Sequence, residues 1–571
     1  MSVALTEYSM TIGMLVAFFG LVIGCIYDRK RIARAVRGAG LRKSHLALAL
    51  AVVAAFAVFE FCVVKPTQLL FFDDAIYQGM AQQLINTGQA LMCDYGTPAT
   101  CFVGEVFHEP IGLSFDIAMA FLAFGVHRGA AYGTEFLLAA VAVFMTFLAA
   151  LLMFKDTKAA IFSELLIALS PTVLVWAVPT NSDMAMLAYS LVALFFMLVF
   201  MRDKHLWSFF NMLMSFALLS YMKVDALLYA PVFLVIYVLL EKGSITRTVN
   251  GLVKLAAKHA MDTKALIALL VFVAALAPSI TYAAYESSYG NYGATGQLQN
   301  TCSRNLAPVQ VTGNSNLQNF EANICSNIGF WFDQYRSQYV MQPAAFTLLA
   351  LIGIGALIVT GRARELAGIA FWFLAFFMLY TTFYAGSVIY GVDWRFMLSL
   401  VAQVSMLGGF AIASVLGAAG SVRRKYSMLA GCAAIAVVAA ALLYPIFSLY
   451  PLLSINPSQI QQAGDARFYE NFVFNTSPEI PSNCLVYTYD PSLFNINGRA
   501  ATQLSYLYNT SQYDQLETSY GCTVLDYGYW CHTPNNLCTA VNQSFNLTPI
   551  ATATYKPFGY GYGLYYLHAK S

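Results

Sequence analysis

Long apolar segments recur along almost the whole chain, and no water-soluble fold can absorb them. They lie near 9–27, 44–64, 134–154, 159–177, 184–200, 206–222, 226–240, 265–285, 344–360, 367–385, 396–418 and 428–446. A helix of roughly 20 residues crosses the ~30 Å of hydrocarbon in a bilayer and pairs its own backbone groups while doing so. The predicted class is therefore a polytopic α-helical membrane protein with about twelve spans, within a range of roughly 11 to 13. Composition agrees: 11% of the 571 residues are charged, against about 25% in soluble domains. The balance of 31 basic to 29 acidic side chains also lacks the basic field that nucleic-acid binding needs.

Charge orients the spans. Residues 28–43 hold seven Lys or Arg and one Asp, and further basic loops follow at Lys155 and Lys158, Arg202 and Lys204, Lys242 to Lys264, Arg362 and Arg364, and Arg423 to Lys425. With twelve spans all of these fall on one side, the cytoplasmic one by the positive-inside bias. The N-terminus, the segments 65–133 and 286–343, and everything after residue 447 then face outward. The first apolar segment has no basic stretch before it, so it reads as a retained helix rather than a signal peptide. The stretch 111–126 is too short for a span and carries Asp116, so it reads as an interfacial or shallow re-entrant helix.

Eight of the eleven cysteines fall in the outward segments: Cys93, Cys101, Cys302, Cys325, Cys484, Cys522, Cys531 and Cys538. An oxidising compartment suits disulfides, Cys93 with Cys101 and Cys302 with Cys325, with three connectivities open for the four cysteines of the tail. A metal cluster is the rival reading, and it lacks a short CxxC pair with accompanying histidines. Residues 1–446 form the predicted transmembrane domain and 447–571 an extracytoplasmic α/β or α+β domain. In the latter, 484–490 and 522–530 read as strands and 499–509 as a short amphipathic helix. The tyrosines at 555–566 suit sugar stacking, the membrane interface or sheet packing.

Polar residues at the outer ends of spans are the candidates for chemistry. Asp73 and Asp74 open a predicted helix at the bilayer edge, where two adjacent acids are costly unless they serve a ligand, a metal or a helix cap. His108 and Glu109 end the same outer segment. Asp183 begins another span, as a cap or a cavity acid. Lys223 and Arg395 lie at membrane depth, each two positions from an acid, Asp225 and Asp393 respectively, so local ion pairs compete with phosphate binding. A guanidinium, always charged and forked, suits a phosphate.

These segments resemble the GT-C superfamily of polytopic glycosyltransferases, especially the protein O-mannosyltransferase and aminoarabinose-transferase-like group. The resemblance is carried by 73–88 (DDAIYQGMAQQLINTG), 108–125, 179–200, 217–229 and 390–400. It implies that Asp73 matches the first acid of the family's outer-loop pair, that Asp74 stands where the family has Glu, and that Tyr77 keeps the aromatic position. It further implies that 108–112 (HEPIG) stands for a basic residue followed by Pro-Pro, with Glu109 in place of one Pro, and that Asp183 and Lys223 match a later acid and a frequent Lys. The expected activity is transfer of a sugar from a polyprenyl-phosphate donor to a lipid, glycan or protein hydroxyl on the outer face. Asp73 and Asp74 would be catalytic, with Tyr77, His108, Glu109, Asp183, Lys223, Asp393 and Arg395 binding substrate. A divalent metal, Mg or Mn, held by Asp73, His108 and Asp183 is a further expectation. The alternatives are a polyprenyl-lipid or saccharide transporter and a membrane-anchored glycan-binding protein.

Overall fold

A computed structural model describes residues 3–64, 73–89, 110–177, 179–241, 263–288, 344–382, 392–421, 436, 461–504, 507, 520–528, 541–557 and 559–569. In the membrane region the helices are α1 (Val3–Gly38), α2 (Lys43–Phe59, continued by a π turn Glu60–Val64), α3 (Asp73–Thr87), α4 (Ile111–Phe124), α5 (Arg128–Phe154), α6 (Thr157–Ala168), α7 (Pro171–Trp176) and α8 (Ser182–Asp203). They continue as α9 (Leu206–Ser220), α10 (Tyr229–Leu240), α11 (Thr263–Ser288), α12 (Ala344–Val359), α13 (Ala363–Thr382) and α14 (Leu398–Ser421). Six helices among the described residues are long and apolar enough to cross a membrane, which makes this an integral membrane protein. The segment 428–446 lies outside the described residues apart from one position.

Local chemistry sets the breaks. α1 runs beyond its apolar stretch into the basic segment, whose arginines are good helix formers. The apolar run 159–177 is cut at Pro171, which cannot donate to the preceding turn and so starts α7. Lys155 and Lys204 end α5 and α8 with φ of 51° and 50°, the left-handed cap conformation. Close helix approach needs a missing side chain at Gly409 of α14, where a Cβ would lie 2.2 Å from Ser163 Oγ and 2.4 Å from its backbone nitrogen. α4 has 14 residues, about 21 Å of helix at 1.5 Å per residue, short of the ~30 Å of hydrocarbon.

The C-terminal region begins with α15 (Gln461–Thr476) and carries a five-stranded sheet in the order β2-β1-β3-β5-β4. The strands are β1 (Cys484–Thr488), β2 (Ala500–Gln503), β3 (Cys522–Tyr527), β4 (Phe545–Tyr555) and β5 (Tyr560–Ala569). β1 runs parallel to both β2 and β3, while β5 is antiparallel to β3 and β4. The expected helix at 499–509 is corrected here: Ala500–Gln503 is a strand, and the helix lies earlier, at α16 (Pro491–Ile496). Two parallel neighbours need a crossover between them, and Pro491 starts it while Gly498, at φ 73°, ends it. Ala501 and Thr502 are then buried by strand pairing rather than by a helical face.

Cys484 and Cys522 are register partners on β1 and β3 and form a disulfide. Cys93, Cys101, Cys302, Cys325, Cys531 and Cys538 lie outside the described residues. Among the tyrosines of 555–566, sheet and helix packing accounts for Tyr555 and Tyr562, whose rings lie against Phe468 of α15. The Tyr562 hydroxyl donates to the buried Asp465.

Candidate active site

The N-terminal ends of α3, α5, α8 and α14 and the C-terminal end of α9 converge, and the predicted polar residues divide among those brought together and those outside the described side chains. Asp73 is the first residue of α3, but its side chain, like that of Asp393, falls outside the description, as do His108 and Glu109 altogether. Asp74 and Tyr77 are buried on α3. Asp183 sits in the first turn of α8, where the positive end of the helix dipole favours an acid.

Asp183 is the centre of the arrangement. Lys223 Nζ lies 2.6 Å from Asp183 Oδ1, and Arg395 Nε lies 3.5 Å from Asp183 Oδ2. Asp225, the sequence neighbour, is 3.9 Å from the same ammonium, so Lys223 takes the acid forty residues away as its nearer partner. The ring of Phe396 supports both cations, with Lys223 Nζ 4.3 Å and Arg395 Cζ 5.3 Å from its centroid. Lys223 projects from the end of α9 just before a 3₁₀ turn (Val224–Leu228), and Arg395 from another 3₁₀ turn (Val392–Met397) that leads into α14.

A short strap before α8 connects this ion cluster to α3. The Thr180 hydroxyl lies 2.8 Å from the backbone carbonyl of Asp74 and 3.2 Å from its Oδ1, and it accepts from Gln78 Nε2 at 3.3 Å. Asn181 caps α8 by accepting from the Met184 N–H at 3.1 Å. Its own backbone N–H donates to Glu135 Oε1 of α5 at 3.3 Å. Asp116, on the short helix α4, accepts from the Tyr189 hydroxyl of α8.

Sequence reasoning missed Gln78, Glu135, Thr180 and Asn181. The signal for Glu135 was present, because it is an acid within an otherwise apolar span. Thr180 and Asn181 stand beside Asp183, where capping was weighed for Asp183 alone, and nothing in their spacing points to Asp74.

The C-terminal region closes over the same helices. Gly79 of α3 faces Ser492 of α16 so closely that a Cβ would lie 2.5 Å from Ser492 Oγ, and Ala75 belongs to the apolar core of the sheet. Glu470 of α15 accepts from the Tyr132 hydroxyl at 2.5 Å and pairs with Arg128 at 3.2 Å, both at the N-terminal end of α5. The Arg128 guanidinium also stacks over Phe474 at 3.7 Å.

An apolar cavity of about 800 Å³ lies between α8, α9, α10 and α11. Ser220, Ala226 and Leu227, which flank Lys223 in the chain, line one end; Lys204 and His205 line the other. Lys204 is there neutralised by Glu241 at 2.7 Å. The wall between is Phe, Leu, Met and Ile.

No protein-family model matches the chain, and neither does any curated protein. Solved structures do. ArnT from Cupriavidus metallidurans in the apo state aligns with a TM-score of 0.52 at 11% identity, over 91% of this chain and 97% of that one. The same protein bound to undecaprenyl phosphate gives 0.51 at 10% identity, over 92% and 98%. The archaeal oligosaccharyltransferase AglB from Archaeoglobus fulgidus, in complex with an inhibitory peptide and a dolichol-phosphate, gives 0.51 at 12% identity, over 91% and 74%. Identities this low speak for architecture rather than for chemistry. Together they show that the chain shares its overall fold with ArnT and with AglB, along more than nine-tenths of its length.

Proposed function

We propose that this protein is a membrane glycosyltransferase that moves a sugar from a polyprenyl-phosphate donor to a hydroxyl of a lipid, glycan or protein acceptor on the outer face. The observation that carries the reading is the pair of cations, Lys223 and Arg395, gathered by Asp183, with Ser220, Ala226 and Leu227 on either side of Lys223 in the chain lining an apolar cavity. An ammonium has three donors and a guanidinium five, so Asp183 can orient both while leaving donors for a phosphate. That cavity has the lining to accept an apolar chain, and the neutralised Lys204 at the end away from Ser220 suits a chain terminus rather than a headgroup. The undecaprenyl phosphate of ArnT and the dolichol-phosphate of AglB are ligands of this chemistry on the same fold.

In the proposed reaction Asp73 takes the proton from the acceptor hydroxyl as its oxygen attacks the anomeric carbon. The bond from that carbon to the phosphate oxygen breaks, and the electron pair leaves with the polyprenyl phosphate, whose growing negative charge faces Lys223 and Arg395. Direct displacement inverts the anomeric centre. Asp74, held by Thr180, and the buried Tyr77 shape the acceptor side, and His108, Glu109 and Asp393 complete substrate binding. Both oxygens of Asp183 face cationic side chains, so this residue does not fit the expected metal set. Asp73 and His108 remain the candidates to hold Mg or Mn. The full topology of the reading has about twelve spans, a boundary near 446/447, and the N-terminus and C-terminal domain outside.

The test is reconstitution with polyprenyl-phosphate sugars and a panel of hydroxyl acceptors. Acceptor-dependent sugar release is expected, falling by about 10²- to 10⁴-fold in D73N. Unchanged turnover in D73N would reject Asp73 as the base, and no release with any donor would reject the transferase.

A further inference from the structure

Glu135 is the sole acid of α5, placed one turn inward from Tyr132 and close below the clasp that Arg128 and Tyr132 make with Glu470. It is fully buried; Oε1 accepts from the Asn181 N–H at 3.3 Å, and Oε2 has no hydrogen-bond partner among the described residues. A carboxyl so placed costs more than a leucine of similar volume, so packing does not account for it. Its hydrogen bond from Asn181 ties it to the strap Thr180–Asp183. Thr180, one residue before Asn181, reaches Asp74, and Asp183, two residues after it, gathers Lys223 and Arg395.

Both halves of the proposed reaction therefore depend on where residues 180–183 lie. Asn181 holds the helical side of the strap through Met184, but its own N–H belongs to no helical ladder and finds its acceptor on α5. Without that acceptor the strap is free to shift relative to α5. A shift of about 1 Å is enough to cost ~10²-fold in rate when reacting groups must align.

We infer that Glu135 is a positioning residue, which fixes the strap Thr180–Asp183 and through it the distance between Asp74 and the Asp183–Lys223–Arg395 cluster. It touches no substrate. The inference rests on the transferase reading for its effect on rate, but its effect on the strap does not.

The experiment uses the full-length protein in nanodiscs, with Glu135→Leu, Glu135→Gln and Thr180→Val beside the wild type. Hydrogen exchange at residues 180–184 reads the strap without turnover: faster exchange is expected in E135L and wild-type exchange in E135Q, whose amide oxygen can still accept from Asn181. With a polyprenyl-phosphate sugar donor, kcat should fall about 10²-fold in E135L with donor KM within about threefold. E135Q should restore kcat to within about threefold of wild type, and T180V, which cuts the strap at its other end, should reproduce the kcat loss. Unchanged exchange in E135L overturns the inference, and so does an E135Q as impaired as E135L, because charge rather than the hydrogen bond would then matter. If E135L fails to fold, the E135Q and T180V results decide the question. A wild type without transferase activity sinks the transferase reading instead, and the exchange measurement still judges Glu135.

Discussion

The membrane region and the C-terminal domain both bury carboxylates, but they satisfy them differently. In the membrane region Asp183 is held between two cations that come from separate helical turns. In the C-terminal domain Asp526, on β3, is also fully buried, yet its Oδ2 accepts from the hydroxyls of Tyr469 and Thr488. Burial pushes the Asp526 carboxyl up to about 7, with the Thr488 and Tyr469 hydroxyls pulling the other way. Tyr469, between burial and that acid, is held well above the ordinary tyrosine range. A carboxylate with cationic partners keeps donors nearby for another anion, whereas one with hydroxyl partners only adjusts its own protonation. The first arrangement suits a site and the second a core.

The largest test of this contrast is at the ion cluster. R395A and K223A should each lower turnover by about 10²- to 10³-fold, the cost of removing one donor from a developing anion. R395A should also weaken use of the charged lipid donor. Turnover and donor binding that stay at wild-type levels in folded R395A would remove the cluster from the reaction and make it as structural as Asp526.

Stability should respond to pH in the C-terminal domain. An acid raised from its ordinary value of 3.8 to about 7 binds its proton more tightly when folded. Stability is therefore highest below pH 4, falls as pH rises from about 4 to 7, and is flat above, over a range on the order of 4 kcal/mol. Hydrogen exchange of the β1 and β3 amides, corrected for intrinsic rate, should show this slope in wild type and lose it in D526N. A slope that survives in D526N would assign it to another group.

The smallest expected effect is at the disulfide. Paired C484S/C522S substitution should cost the domain about 2–4 kcal/mol while leaving turnover per folded molecule close to wild type. With Cys484 and Cys522 joined, the three tail connectivities reduce to one if all four cysteines pair. Peptide mapping without reduction should then recover Cys531 linked to Cys538. A C484S/C522S protein that folds normally but loses activity would mean the sheet acts on the site through α3 and α16.

Much of the fold was legible because its signals are local. Apolar length needs no knowledge of neighbours, and the strands at 484 and 522 alternate as pleated residues do, whereas the run 159–177 was read as one span and its break at Pro171 emerged only in the structure. The segment after residue 499 was misread because Ala-Ala-Thr-Gln has weak preferences, and its state is set by pairing with β1. At the site, Asp74, Asp183, Lys223 and Arg395 stood out because charge near a bilayer is expensive. Thr180 and Asn181 did not, since small polar residues before a helix look alike whether they cap it or tie it to a distant element.

Sequence by itself determined that this chain must live in a membrane and which few charges require partners, because hydrophobic transfer and charge desolvation act residue by residue. Only tertiary structure decided the partners. Lys223 meets Asp183 rather than relying on Asp225 because the start of α8 and the end of α9 bring them within 2.6 Å, and Arg395 joins from a turn more than 170 positions farther along. Coulomb energy follows distance in space, and distance in space is what helix packing sets.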